Sequence, residues 1–469
     1  WQMLMECLAA GRGISLPATA CGGAQMTARA VGAYAAVRQQ FGLSIGRFEG
    51  IEEPLARIAG RTYALEAVRR FVNGALDAGH KPAVVTAIAK YQTTELWRAI
   101  VNDGMDVMGG AGISRGPRNL LAHAYTGTPI CITVEGANIL TRTLMIFGQG
   151  AIRCHPFAYA ELDAIQRGDR EAFDRAFWPH VGHVVSNAVR TALLGLSRGW
   201  LTAAPGSAAT RRYWRKLNWA SAEFALLADV AMGALGGNLK RKEKLTGRYA
   251  DWFSWLFVAT AALRRFEAEG RQRDDLPLLQ CALEEAFQRI QQARCGIFQN
   301  LRLPLVGGAF RVLGGLYARL NPFGAPPTDR TTHAAAQTLQ RPGEARDRLT
   351  ANCHLPRDAA SALGRLETAL ALCTDAEPVL RKLKDAVRHG RLPKAPPAHL
   401  LDQATEAGIL TTNEREVVQA AEQARAEAIA VDSFTLDEYL RSAPAPVGEQ
   451  PAATGGDPRG GAGFMNHPG

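Results

Sequence analysis

Between Glu53 and Gly79 the apolar residues Leu55, Ile58, Leu65, Val68, Val72 and Leu76 recur at steps of three, four or seven. That spacing places them on one face of a helix that ends at a glycine. Pro82 restarts the chain at a first helical turn, and a looser pattern through Val85, Ile88, Leu96 and Ile100 runs on to Gly109-Gly110-Ala111-Gly112. Further helices are predicted over 25–39 and 136–147. A loop over 114–131, holding Pro117, Gly127 and Pro129, is predicted to separate the last two helices. The sum is a four-helix body with almost no period-two strand signal.

His155-Pro156 closes this body, and Gly168-Asp169 marks a polar joint beyond it. Residues near 180–320 read as a second helical region, with Trp200, Trp214, Trp219, Trp252 and Trp255 beside Arg211, Arg212, Arg215 and Lys216. Aromatics among basic residues can bind nucleic acid by stacking. A half-buried helix face is the commoner cause and the preferred reading here, so no nucleic acid is expected. From about 330 to 440, Ala/Leu-rich helices alternate with charged residues. Residues 443–469 are rich in Gly and Pro and poor in large apolar side chains, which predicts disorder. The expected class is therefore all-α: a helical domain at 1–156, a helical extension at 157–440 and a disordered tail at 441–469.

Composition adds limits. At 469 residues and 47% hydrophobic the chain is long enough for more than one core, so two helical bodies are expected. No apolar run reaches the roughly 18 residues a bilayer span needs; Leu301–Leu320 carries Arg302, Arg311 and Arg319. The eight cysteines include no Cys-x-x-Cys pair. They read as reduced thiols, Cys353-His354 reads as structural, and no metal is expected. A net charge of +10 calls for an acidic partner: nucleic acid, an anionic membrane or a phosphate-bearing ligand. A chain opening on Trp1 inside a helical pattern is expected to be part of a longer protein.

Three motifs stand in order: Tyr34-Ala35-Ala36-Val37-Arg38-Gln39-Gln40-Phe41-Gly42, then Asp106-Val107-Met108-Gly109-Gly110-Ala111-Gly112, then Val134-Glu135-Gly136-Ala137-Asn138-Ile139-Leu140-Thr141-Arg142. Together they resemble the C-terminal helical domain of the acyl-CoA dehydrogenase family. Beyond Phe157 the chain, including Leu235-Gly236-Gly237-Asn238-Leu239-Lys240-Arg241-Lys242-Glu243, resembles the long extension of bacterial long-chain fatty acyl-CoA dehydrogenases. The resemblance implies that Glu135 is the base that removes a proton next to the thioester, with the Glu135-Gly136 backbone helping to bind the thioester carbonyl. A carboxylate dried by the acyl chain would have its pKa raised, and Glu135 is expected in a buried position at a helix N-terminus. By its residues alone it could equally be a carboxylate favoured by the helix dipole.

The resemblance further implies that Arg38 and Phe41 contact a flavin nucleotide bound mainly to a neighbouring subunit. A guanidinium suits phosphate and a ring suits a flat cofactor. A plain helix C-terminus, with Arg38 on the dipole and Gly42 as its cap, fits the same residues. Asp106, Gly109 and Gly110 are implied to line the adenosine half of the flavin, although relatives more often carry Gln at the place of Asp106. Arg12 matches an arginine near the base; a solvated helix residue is the equal alternative. Val134, Ala137 and Glu49 stand where many relatives have Tyr, Thr and Gln.

The implied activity is conversion of fatty acyl-CoA to trans-2-enoyl-CoA with FAD, the first step of β-oxidation. Electrons would pass to an electron-transfer flavoprotein, and the protein is expected to be a cytoplasmic homo-oligomer. Residues 297–323 carry an apolar face (Phe298, Leu301, Leu305, Val312, Leu316, Leu320) with arginines beside it, so peripheral contact with an anionic inner membrane is weighed against packing on the body. The rival class is a non-catalytic basic helical adaptor for a membrane or protein.

Overall fold

The computed structural model describes residues 2–303, 306–356 and 358–442. The helices are α1 (Gln2–Val37), α2 (Glu49–Asp77), α3 (Ala83–Met108), α4 (Gly110–Ile113), α5 (Ala122–Thr133), and α6 (Asn138–Leu140), which runs into a π-helix at Thr141–Gln149. There follow α7 (Gly150–Cys154), α8 (Ala158–Arg167), α9 (Arg170–Leu196), α10 (Arg211–Leu235), α11 (Glu243–Ala268), α12 (Leu276–Asn300) and α13 (Gly307–Leu320). The last are α14 (Asp329–Gln340), α15 (Glu344–Leu349), α16 (Ala362–Arg388), α17 (Pro397–Glu406), α18 (Thr412–Ile429) and α19 (Leu436–Ser442). The sheet is one two-residue hairpin, β1 (Gln39–Gln40) against β2 (Leu43–Ser44). The chain is all-α, as the periodicity predicts.

Two elements differ from expectation. α1 begins far before residue 25, because Gly11, Gly13, Pro17, Gly22 and Gly23 hide its period. Two of them serve close packing: a Cβ on Gly13 would lie 2.7 Å from Thr86 Cγ2 and one on Gly23 2.4 Å from the Trp97 indole. The predicted loop at 114–131 contains α5. The Asn119 side chain starts that helix by accepting from the amides of Leu121 (2.9 Å) and Ala122 (2.7 Å). Inside it, Pro129 frees the carbonyl of Tyr125, which accepts instead from Thr128 Oγ1 at 3.2 Å.

α1 and α3 run parallel: Gly13 faces Thr86, Gly23 faces Trp97, and Gly104 faces Thr27. α2 runs antiparallel to both, with Gln25 meeting Glu66 and Arg57 and Arg61 meeting Asp103. α5 and the π-helix pack on α3, so the body has five parts where four helices were expected.

Among the described residues, those up to 431 form one compact unit and 432–442 fall outside it. Packing therefore shows no seam at 156, where two bodies were expected; one continuous core passes from α1–α3 into α10–α12, α14, α16 and α18. Charged groups bind the two stretches together. Arg61 pairs with Glu285 (3.0 Å), Arg142 with Asp251 (2.5 Å), and Arg29 with Asp347 (2.8 Å) and Glu367 (2.9 Å). Removing one partner of the nearly buried Arg61–Glu285 pair costs about 3–5 kcal/mol, and the more exposed pairs contribute less. Arg425 on α18 donates to Val37 O at 3.0 Å, satisfying a carbonyl left open at the C-terminus of α1.

Trp214, Trp219, Trp252 and Trp255 are buried, which makes them core residues, as preferred over stacking platforms; Trp200 departs from that reading, being exposed with the Arg215 guanidinium 4.1 Å from its ring. Residues 297–323 divide. Phe298 and Leu301 are buried against the body, whereas Val312, Leu316 and Leu320 point outward from α13; Leu305 lies outside the described residues. α10 is long and apolar enough to cross a membrane by length and composition, yet it buries Tyr213, Leu217 and Trp219 in the core. The expected disorder of 443–469 also concerns residues outside those described.

Candidate functional site

Glu135 lies in the turn 134–137 between α5 and α6. The turn bends through two left-handed residues in succession, Glu135 at φ 54° and Gly136 at φ 92°. Gly136 adopts this freely, but at Glu135 it costs about 1–2 kcal/mol and persists only where surrounding structure enforces it.

The enforcement comes from Lys90, which is fully buried on α3. Its ammonium donates to the carbonyl of Gly136 at 2.8 Å and to Asn138 Oδ1 at 2.7 Å. Asn138 passes the restraint on, donating to Thr94 Oγ1 and Glu95 Oε1, both at 2.9 Å. Burial lowers the pKa of Lys90, and the neighbouring Arg12 lowers it further. That is the cost of holding a cation under the turn.

Arg12 is half-buried. It donates to Met145 Sδ on the π-helix at 3.8 Å, and its NH2 lies 3.9 Å from where a Cβ on Gly136 would sit. These contacts place its guanidinium beside the Glu135 turn. Its Nε is buried without a hydrogen-bond partner among the described residues. Ser15, one turn along, donates to Glu135 Oε1 at 3.5 Å.

Glu135 departs from expectation in one respect: its side chain is exposed in this chain. It stands outside α6, whose N-cap is Ala137, and the left-handed turn delivers the carboxylate to the end of the bundle.

The other expected residues gather at the opposite end. From Arg12 to Arg38 along α1 is about 39 Å, and from Lys90 to Asp106 along α3 about 24 Å, at 1.5 Å per residue. Arg38 is half-exposed, with its guanidinium 5.8 Å from the Tyr34 ring. Phe41 and Gly42, at φ 53° and 77°, form the tip of the β1–β2 hairpin. Two positive φ values are what a type I′ turn requires, so Gly42 serves a hairpin and not a helix cap. Phe41 is 93% exposed. Asp106, Gly109 and Gly110 are exposed where α3 ends, and a Cβ on either glycine would meet nothing within 4 Å. A cation, an open ring and an unobstructed glycine pair fit a flat, phosphate-bearing ligand.

Sequence reasoning missed Lys90. The signal was present, because it is the one charged residue between Pro82 and Glu95, on a helix that faces inward. Ser15 carried no motif, while Asn138 stood unremarked inside one.

Two family models cover nearly all of the described chain. One, described as "Acyl-CoA dehydrogenase, C-terminal domain", matches residues 1–146. The other, "Acyl-CoA dehydrogenase, C-terminal, bacterial type", matches 152–434. The chain belongs to the acyl-CoA dehydrogenase family. Among curated relatives, "Probable acyl-CoA dehydrogenase FadE10" of Mycobacterium tuberculosis and of Mycobacterium bovis is 25% identical over 342 residues, covering 68% of this chain and 50% of the relative. The chain thus spans about half the length of the curated relatives it matches. An acyl-CoA dehydrogenase complexed with FAD from Bacillus anthracis shares the fold at TM-score 0.55 and 19% identity, over 72% of this chain and 56% of that one. Acyl-CoA oxidase 1 of Arabidopsis thaliana aligns at TM-score 0.43 and 15% identity, over 71% and 52%.

Proposed function

We propose that this acyl-CoA dehydrogenase chain supplies the catalytic base and one wall of the nucleotide site of an enzyme that converts fatty acyl-CoA to trans-2-enoyl-CoA, the first step of β-oxidation. The observation that carries the reading is the left-handed Glu135, held by the buried Lys90 clamp beside Arg12. A turn strained at a carboxylate and fixed from beneath is how a fold presents a base.

Glu135 takes the proton from Cα of the thioester. The electron pair left behind forms the Cα–Cβ double bond as hydride departs from Cβ. Bound FAD supplies the acceptor for that hydride. Arg38, Phe41, Asp106, Gly109 and Gly110 hold the nucleotide part, and the Glu135-Gly136 backbone meets the thioester carbonyl, where charge develops.

The roughly 39 Å from Arg12 to Arg38 along α1 exceeds the reach of an extended dinucleotide. A nucleotide held at the hairpin end therefore serves the base of another copy, which supports a homo-oligomer with shared sites. An electron-transfer flavoprotein would be the partner that takes up the electrons released by the oxidation.

The complete protein, with whatever precedes residue 1 in its gene, tests this. It should be yellow and bleach on adding palmitoyl-CoA, and Glu135→Gln should stay yellow without bleaching. A colourless protein would favour the adaptor, and bleaching by the variant would remove Glu135 from its role.

A peripheral contact with the cytoplasmic face of an anionic inner membrane belongs to the same proposal. α9 exposes Trp178, Val185, Val189 and Leu196, and α13 exposes Val312 and Leu316. These residues lie in stretches without acidic residues, 175–222 and 286–328, that carry Arg190, Arg198, Arg311 and Arg319, although the first turns of α9 hold Glu171 and Asp174. Each basic residue near such a surface adds about 1 kcal/mol. Sedimentation with anionic but not neutral liposomes at low salt is expected; equal recovery in both supernatants would assign these faces to protein packing.

A further inference from the structure

The turn that carries Glu135 leads at once into an unusual backbone. After one turn of α6 the chain widens into a π-helix of nine residues, Thr141–Gln149. Such helices are rare, are mostly a single turn long and recur at functional sites. The hydroxyl of Thr141, its first residue, donates to the Gly136 carbonyl at 3.3 Å, the same carbonyl that Lys90 holds. The register of the π-helix therefore bears directly on the turn. Relaxing one π turn to α geometry passes a residue along the helix, which shifts one side of it by about 1.5 Å and roughly 100°.

Polar side chains beyond the turn gather in clusters. One, made of His155, His180, His183 and Asp229, lies where α9 meets α10. Another, made of Arg142, Asp251 and Tyr91, lies where α11 meets the π-helix, and this one adjoins the Glu135 segment.

α11 belongs to the extension, and its residues 246–251 are shaped to the π-helix. Asp251 accepts from Arg142 through two bonds, from Nε at 2.7 Å and from Nη2 at 2.5 Å. It also accepts from the Tyr91 hydroxyl at 3.3 Å. Thr246 Oγ1 donates to the buried carbonyl of Thr143 at 2.5 Å. Gly247 leaves room for the Arg142 guanidinium, since a Cβ there would lie 2.7 Å from Nη1. The Tyr249 ring stacks on Phe147 with centroids 4.5 Å apart. Tyr91 follows Lys90 in sequence, so α3 holds Gly136 directly through Lys90 and Arg142 indirectly through Tyr91 and Asp251.

We propose that Asp251 and Thr246 of the extension are positioning residues for the base: they keep 141–149 in its π register and so set where the Glu135 carboxylate stands. The inference rests on Glu135 being the base. Neither residue needs to touch substrate or flavin. Their effect passes through Arg142, Thr143 and the backbone that joins them to the turn, where a shift of about 1 Å can cost a hundredfold in rate.

The test is steady-state kinetics of the complete, FAD-loaded enzyme with palmitoyl-CoA. Asp251→Asn, which keeps the shape but loses the charge-assisted pair, should lower kcat roughly 10- to 100-fold. KM should change less than about threefold, with flavin retention unaltered. Thr246→Val removes one hydroxyl at constant shape and should lower kcat roughly 3- to 10-fold. Asp251→Glu restores a carboxylate and should recover most of the loss. Glu285→Gln is the control, because it breaks a comparable link from the extension to Arg61 on α2; it should lower the melting temperature and leave kcat unchanged.

Full kcat in folded Asp251→Asn and Thr246→Val would overturn the proposal, and an equal loss of kcat in Glu285→Gln would do the same. Should Asp251→Asn fail to fold, Thr246→Val alone decides. Glu135→Gln, measured alongside, separates the two ideas. If it is inactive while Asp251→Asn turns over normally, only the positioning role falls; if it is active, the base assignment falls and the positioning role with it.

Discussion

The two ends of α1 are built on opposite plans. At the N-terminal end, Glu135 is strained but fixed: a buried ammonium holds the carbonyl beside it, and Asn138, Thr94 and Glu95 extend the restraint into α3. At the C-terminal end, Phe41 is strained and presented to solvent on a hairpin tip. The first plan suits a group whose position sets a reaction rate, where misplacement by about 1 Å can cost a hundredfold. The second suits a surface completed by another molecule. Each end spends backbone strain on a functional side chain, but only one contains its own support.

The largest expected effect breaks the first end alone. Glu135→Gln in the complete enzyme should lower turnover at least about 1,000-fold while flavin retention, read by visible absorbance after gel filtration, stays unchanged. Near-normal turnover would dissolve the distinction between the ends. Next comes the support itself. Lys90→Met leaves the Gly136 carbonyl and Asn138 without their buried donor, at about 1–3 kcal/mol. Lys90→Met should also reduce kcat roughly 10- to 100-fold with KM little altered, since the base remains but its turn relaxes. A variant destabilised in thermal unfolding yet unchanged in kcat would make Lys90 a core residue only.

At the second end, Arg38→Ala should weaken flavin retention roughly tenfold, and with it the oligomer, because a ligand that binds across subunits stabilises their association. Unchanged occupancy after dialysis would separate Arg38 from the nucleotide. The smallest effect sharpens the contrast most. Phe41→Asn suits the left-handed tip and should stabilise the fold by about 0.5–1 kcal/mol while flavin retention falls. Loss of stability would mean that the exposed ring serves the chain's own packing.

How much of this was legible depends on where the signal lay. The helices at Glu49–Asp77 and Ala83–Met108 were readable because one face of each is apolar over many turns. The N-terminal half of α1 and the whole of α5 were not. Gly23 and Gly104 are glycines because a neighbouring helix passes within contact distance, and Pro129 is tolerated because a hydroxyl three residues away from Tyr125 takes over its free carbonyl. In both cases the local residue opposes a helix and the tertiary partner explains it. The candidate residues were legible as motifs, and Arg12, Glu135 and Gly136 do meet. The exposure of Glu135 was not legible, since a helix start predicted from pattern gives no position for the turn that precedes it.

By itself the sequence determined the helical class, the family resemblance and the identity of the candidate base, because these rest on periodicity and on short runs of fixed residue type. Only the tertiary structure decided that residues on either side of 156 share one core, that Lys90 holds the Glu135 turn, and that His155, His180, His183 and Asp229 converge. Apart from His180 and His183 on one helix, each of these joins residues 25 to more than 200 positions apart, as Lys90 with Asn138 (48) and Arg61 with Glu285 (224). Contacts at such separations depend on how helices cross, and helix crossings are set by the three-dimensional fit of side chains, which no local pattern encodes.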